Sequence, residues 1–208
     1  MKAEILERIK QLGGTVDHVQ HKSLADDLLS ITFDTVLYRR PEDTPWQTAE
    51  QAEPIYGIGA FIQENETLFK ADKAAFYTKM INRYFCLTEE GYGQLFWQPR
   101  FFTPFKEGTA DFDEWNSDFT DEEETDLREI TKVTGDTTPD FIELFYSYGF
   151  PDTYYIAVSD PHPENPTLFG TDHEVYFREV TNEGTLEDFL YGCMTKEELL
   201  EIVKKRME

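Results

Sequence analysis

The apolar stretches of this chain are short, rich in rings and broken by glycine and proline. "LLSITFDTVLYRR", "GQLFWQPRFFTPF", "TYYIAVSD" and "HEVYFREV" each carry a few β-branched or aromatic residues and then stop. A parallel sheet covered on both faces needs near-continuous aliphatic runs, whereas antiparallel strands accept alternation and short turns. Helical spacings are interspersed with these runs. The pattern predicts an α+β fold, with a mostly antiparallel central sheet flanked by helices. No internal repeat and no low-complexity linker divides the sequence, so residues 1–208 are expected to form one domain.

Read along the chain, Ile5, Leu6, Ile9 and Leu12 recur at helical spacing before Gly13-Gly14. Alternation of Ile31, Phe33, Thr35 and Leu37 predicts a strand. Residues 41–54, with three prolines, read as a loop, and "IYGIGAFIQ" as a short or bulged strand. "KADKAAFYTKMINRYFC" puts Ala74, Tyr77, Ile81 and Tyr84 or Phe85 on one helical face, which predicts a helix. Pro99 within "GQLFWQPRFFTPF" favours an edge strand over a central one, because proline cannot donate to a ladder. "TPDFIELFYSYG" reads as a helix with Thr138 as N-cap, Pro139 at its first position and Gly149 as terminator. "TYYIAVSD" and "HEVYFREV" read as strands, with the proline-rich turn "DPHPENP" between them. Thr185 is expected to cap a short helix. The final "TKEELLEIVKKRM" opens with a capping box, Thr195 and Glu198, and its acidic start and basic end match the macrodipole.

Charge limits the partners. Nineteen basic side chains face 42 acidic ones, for a formal net charge of −23. Such a field repels nucleic acid and anionic membranes and attracts basic partners. Between Glu107 and Glu129 there are eleven acidic residues and one basic one, Arg128. Leu127, Ile130 and Val133 are helix-spaced there, so the segment reads as part loop and part helix N-terminus. Its carboxylates are either a solvated face or a docking surface. For docking, the candidates are Asp111, Asp113, Glu114, Asp118, Asp121 and Glu122, together with Asp172 and Glu174. "FWQPRFF", Phe96 to Phe102, is either core or a partner-binding aromatic surface.

Asp172, His173 and Glu174 invite a metal reading. If they begin a strand, the two acids face one way and His173 the other, with Val175 and Phe177 on the core side. Three adjacent residues then meet at one ion only if the backbone kinks. Asp172 and Glu174 could still hold a hard cation with His162 from the preceding turn. No GxGxxG, Walker loop, HExxH or GxSxG occurs, and no carboxylate pair stands out as an acid/base dyad. The reading therefore names no catalytic residue, no metal ligand and no cofactor. Cys86 and Cys193 lie far apart among apolar neighbours and are expected to be buried, reduced thiols. The amphipathic N-terminus lacks the apolar stretch of a signal peptide, which predicts a cytoplasmic protein.

The last third also carries a resemblance. In order come the segment Phe141 to Gly149 (read as a helix ending in glycine), the strand Tyr154 to Val158 and the Asp-Pro turn at Asp160. Then follow Asn165 to Phe177 and the terminal "TLEDFL". Over about residues 120–195 this resembles the SUKH superfamily, the Smi/Knr-type cell wall assembly regulator domain; residues 1–105 are a divergent part of the same domain or an added subdomain. The resemblance implies an α+β domain without enzymatic activity. In bacteria such domains are often immunity proteins that bind and neutralise toxin domains, many of them nucleases, while other members are regulators or scaffolds. It implies a non-enzymatic binder of a basic toxin domain; the alternatives are a Smi/Knr-type regulator or scaffold, and a metal-dependent enzyme around Asp172, Glu174 and His162.

Overall fold

The computed structural model describes residues 1–40, 53–89, 91–149 and 152–207. In chain order the elements are α1 (Ala3–Gln11), β1 (Gly14–Thr15), α2 (Leu24–Ser30), β2 (Thr32–Phe33) and β3 (Leu37–Tyr38). Next come α3 (Ile58–Glu64), α4 (Glu66–Ala71), α5 (Lys73–Tyr84), β4 (Gln94–Phe102), α6 (Ala110–Phe119) and α7 (Arg128–Thr134). The chain continues with β5 (Phe141–Tyr148), β6 (Thr153–Ala157), β7 (Thr167–Asp172), β8 (Tyr176–Thr185), α8 (Leu186–Gly192) and α9 (Lys196–Met207). Strands β3 to β8 form one antiparallel six-stranded sheet in sequential order, and β1 pairs with β2 separately. The fold is α+β, as the punctuated runs predict. Among the described residues no helix is long and apolar enough to cross a membrane.

Both faces of the sheet are covered. On one face Leu95, Trp97, Ile142, Leu144, Phe145, Ile156 and Leu168 pack against α1, α2 and α8 through Ile5, Ile9, Leu28 and Phe189. On the other face two clusters sit side by side. Tyr38 and Phe96 pack with Phe61, Phe76, Met80, Leu199 and Val203 of α3, α5 and α9. Phe102, Phe141, Tyr155, Phe169 and Phe177 pack with Phe119 of α6 and Ile130 of α7. Phe102 is the hub of this last group, within 6.1 Å, ring centre to ring centre, of Phe119, Phe141, Tyr155 and Phe177. Polar anchors tie the layers together. Trp97 Nε1 donates to the Ile31 carbonyl at 3.1 Å, and the buried Arg8 guanidinium donates to the Leu190 and Cys193 carbonyls at the end of α8.

The largest departure from the sequence reading is β5. Residues 141–148 were expected to be a helix, but they form a strand paired with β4 and β6. A register shift between Glu143 and Phe145 turns Leu144 and Phe145 to the same cluster, so apolar residues fall on both faces without strict alternation. Gly149, expected as a helix terminator, instead ends the strand with φ 95°, a conformation glycine adopts at no steric cost. The same stretch was among those carrying the SUKH resemblance, which therefore rests here on a strand.

Other elements also differ. "IYGIGAFIQ" contributes helix α3, whose start is held by Glu53 accepting from the Gly57 and Gly59 amides. The run 28–38 divides into the end of α2 and two short strands. On α5 the fully buried positions are Phe76 and Met80, while Ala74 is exposed. β4 has neighbours on both sides, but β3 covers only Gln94 and Leu95, and Pro99 lies within the register shift between Trp97 and Arg100. "FWQPRFF" is mostly core: Phe96, Trp97 and Phe102 are buried and Phe101 is exposed. Cys193 is buried and Cys86 half-buried, both free thiols. The loop expected over 41–54 lies, as far as residue 52, outside the described residues. The capping box matches its expectation, with Thr195 N donating to Glu198 at 2.8 Å and Glu198 N to Thr195 Oγ1 at 3.2 Å.

Two stability measurements test this packing. Phe102→Ala should cost about 3–5 kcal/mol in urea unfolding, whereas Phe101→Ala one position away should stay within about 0.5 kcal/mol of the parent. Thr195→Ala should cost about 1 kcal/mol by removing one half of the capping box.

Candidate partner-binding surface

The acidic segment folds into more helix than its composition suggests. Thr109 accepts from the Phe112 amide and caps α6. Phe112, Trp115 and Phe119, spaced three and four apart, turn one face inward; Phe119 is buried and Trp115 half-buried. That spacing, with acids in the first turn, is the sequence signal that reveals α6. Asp113, Glu114 and Asp118 are exposed on the opposite face. Asp113 and Glu114 make no side-chain hydrogen bond or ion pair among the described residues, and the Asp118 carboxylate accepts there only from the Ser117 hydroxyl.

Asp111 differs from the other α6 acids. It is only partly exposed and accepts from the Thr103 amide at 2.9 Å and the Thr103 hydroxyl at 3.3 Å, 3.6 Å from Arg100. Its carboxylate is engaged inside the fold. Beyond α6, Asp121 and Glu122 are exposed, and Asp121 accepts from the Glu123 amide. Glu124 pairs with Arg178 of β8, and the Asp126 amide donates to the Phe177 carbonyl, which ties this loop to the sheet. The end of α6, the loop and α7 enclose an open groove of about 790 Å³, with Phe119 and Leu127 in its lining and Asp121, Glu122 and Asp126 among its carboxylates. Hydrogen bonds from Arg128, side chain and backbone, hold the Asp126 carboxyl at about 2, well below the usual range.

Asp172 and Glu174 are placed differently from the strand expectation. Asp172 ends β7, β8 begins at Tyr176, and residues 173–175 form the turn between them. Asp172 Oδ1 accepts from the Glu174 amide at 2.7 Å, a side-chain turn that aspartate forms readily. Tyr176 then adopts φ 48° and opposes Asp172 directly. The backbone therefore does kink here, and the alternation of faces assumed for 172–177 fails. Arg178 pairs with Glu124 rather than with any residue of its own strand. His162 lies in the β6–β7 connection, whereas Asp172 lies at the opposite end of that hairpin, beside Thr153. The set Asp172, Glu174 and His162 does not converge on one ion. The turn does abut the acidic segment, because Tyr176 packs on Trp115 of α6 at 5.1 Å.

Beneath α6 lies a polar cluster that the sequence reading missed. Arg100, Glu143 and Tyr155 are direct cross-strand neighbours on β4, β5 and β6. Arg100 bonds Glu143 at 2.5 Å, and the Tyr155 and Tyr176 hydroxyls lie 2.9 Å apart. Burial pushes the Glu143 carboxyl up, against the opposing pull of Arg100. Burial also raises both phenols, Tyr176 to about 12, so both remain protonated at neutral pH. The cluster locks α6 onto the sheet from below, with Asp111 supplying the helix side. Its members are 55 residues apart in sequence (Arg100 to Tyr155), and with β5 read as a helix no pattern aligns them.

No family model, no curated protein and no solved structure matches the chain.

A carboxyl-resolved NMR titration should place Asp126 near 2, and Arg128→Ala should raise it only part of the way towards the unperturbed value of about 3.9, because the backbone amide at 128 still donates to it. A depressed carboxylate stabilises the fold above its unfolded value and loses that contribution as pH falls from about 4 towards 2. Because Arg128 is largely exposed, solvent screens the pair and the accompanying change in unfolding free energy should be small.

Proposed function

We propose that this chain is a non-enzymatic, cytoplasmic protein-binding domain of the SUKH kind, acting as an immunity protein that neutralises a basic toxin domain. The observation that carries the reading is the exposed row of uncompensated carboxylates, Asp113, Glu114, Asp118, Asp121 and Glu122, along α6 and the groove beside it. Glu174 extends the row at the adjoining hairpin turn.

The physical reasoning is electrostatic. Nuclease toxins bind phosphate through Lys and Arg, so the surface that meets their substrate is basic. A carboxylate-rich ridge is steered to that same surface and competes with the nucleic acid for it. Steering of this kind raises association rates by about 10- to 1,000-fold and weakens steeply with salt. The rest of the net charge of −23 adds to the long-range attraction, while the apolar floor of the groove offers area to exclude water at contact. Asp111 serves the fold rather than the interface in this reading, because its oxygens are already engaged.

The test is co-expression with the toxin domain encoded beside this chain's gene, followed by stopped-flow association of the purified pair. Protection from killing is expected. Asp113→Lys with Glu114→Lys should slow association by at least about tenfold at low salt and flatten the salt dependence, with little change in unfolding. Continued killing by every neighbouring toxin domain would sink the proposal.

A further inference from the structure

We propose that Asp152, Asp172 and His173 form a binding site for one divalent transition-metal ion of the zinc class. The inference is independent of the toxin-binding reading. Strand pairing creates the site: Thr153 of β6 opposes Thr171 of β7, so the flanking Asp152 and Asp172 emerge together at one end of the sheet. The turn after Asp172 swings His173 to the same point. One carboxylate oxygen from each aspartate and one imidazole nitrogen lie within 4.8 Å of one another. Asp172 Oδ1 and His173 Nδ1 are 3.6 Å apart.

The distances and donor types fit a zinc-class ion. Tetrahedral coordination with bonds of about 2.1 Å places ligand atoms about 3.4 Å apart. The Asp172–His173 pair is already close to that spacing. The third ligand must close by up to about 1.4 Å, which side-chain rotation at exposed Asp172 and His173 supplies without moving the strands. The imidazole sets the metal class. Magnesium and calcium prefer shells of six or more oxygens, whereas one nitrogen with two carboxylates suits zinc and its neighbours.

The surroundings supply space and an uncompensated charge. Gly170 lies between Tyr154 and Thr181 in the cross-strand row, and a Cβ there would come within 2.9 Å of Thr181 Oγ1 and 3.1 Å of Glu183 Oε1. Without that carbon the sheet face keeps a hollow of about 200 Å³, lined by Asp152 and Asp172 and by Glu179 and Glu183. Asp152 is half-buried, and its carboxylate makes no hydrogen bond or ion pair among the described residues. The nearby guanidinium of Arg39 approaches Glu183, at 3.9 Å, and lies over the Phe189 ring. Two carboxylates thus face one another with no Lys or Arg paired to either among the described residues, and a bound cation resolves their repulsion. Three protein ligands leave a fourth position for water.

Isothermal titration of the full chain, stripped with a chelator, with zinc chloride tests the site. One equivalent of zinc is expected. Asp152→Asn and His173→Ala should each weaken binding by at least about tenfold, while His162→Gln and Glu174→Gln leave it unchanged. Far-UV circular dichroism should show all four variants folded; His173 lies in an exposed turn, so its variant carries the test if Asp152→Asn does not fold. The proposal is overturned by no saturable zinc uptake, by one-to-one binding that survives His173→Ala, or by magnesium binding as tightly as zinc.

Discussion

Strand β5 gives Ile142, Leu144 and Phe145 to one face of the sheet and Phe141 to the other, while β4 and β6 satisfy its backbone on both edges. Burying those polar backbone groups requires the ladder to be complete, and burying its side chains requires cover on both faces. The cover comes from distant parts of the chain: α1, α2 and α8 on one side, α6 and α7 on the other. The acidic helix α6 is therefore not an appendage. Phe119 and Trp115 hold it down through apolar contact, and the Arg100–Glu143 pair with Asp111 fixes it electrostatically. The position of its outward carboxylates follows from that fixation.

How the charge is distributed matters as much as its amount. Some of the acids are matched locally, as in Asp126 with Arg128, Glu124 with Arg178 and Glu198 with Arg40. These pairs are partly exposed, and each contributes little to stability. Among the described residues, unpaired carboxylates gather along the outer face of α6, the start of the following loop and the end of the β6–β7 hairpin, and others are scattered over the surface. A ridge of that kind is a cost to the isolated fold through self-repulsion, and it becomes favourable only when a cation or a basic surface approaches.

The parts of the fold legible in sequence are those set by local chemistry. Thr185 and Thr195 cap α8 and α9 as expected, because a side-chain oxygen meeting a free amide needs no tertiary context. The α+β class follows from punctuation and short runs. Failures occur where tertiary contacts override local preference. Phe141 to Tyr148 reads as helical because a two-sided strand with a bulge loses its alternation, and a positive-φ glycine ends strands as well as helices. The Asp172–Glu174 turn is hidden because Val175, Tyr176 and Phe177 look like strand, although aspartate two residues before an amide it can bind is a turn signal. The Asp152–Asp172–His173 grouping depends on the β6–β7 register, which no single-sequence pattern carries.

Pro99 has one more consequence. Strand β3 covers only the first two residues of β4, so from Phe96 onwards no described strand pairs with that side of the ladder. An open flank of aromatic strand is a template on which another chain can add its own strand and begin aggregation. Pro99 removes a donor, the register shift beside it bends the backbone, and Arg100 places a charge in the same stretch. An aromatic sheet is thereby guarded at its weakest margin, and replacing Pro99 would trade a tidier ladder for a stickier molecule.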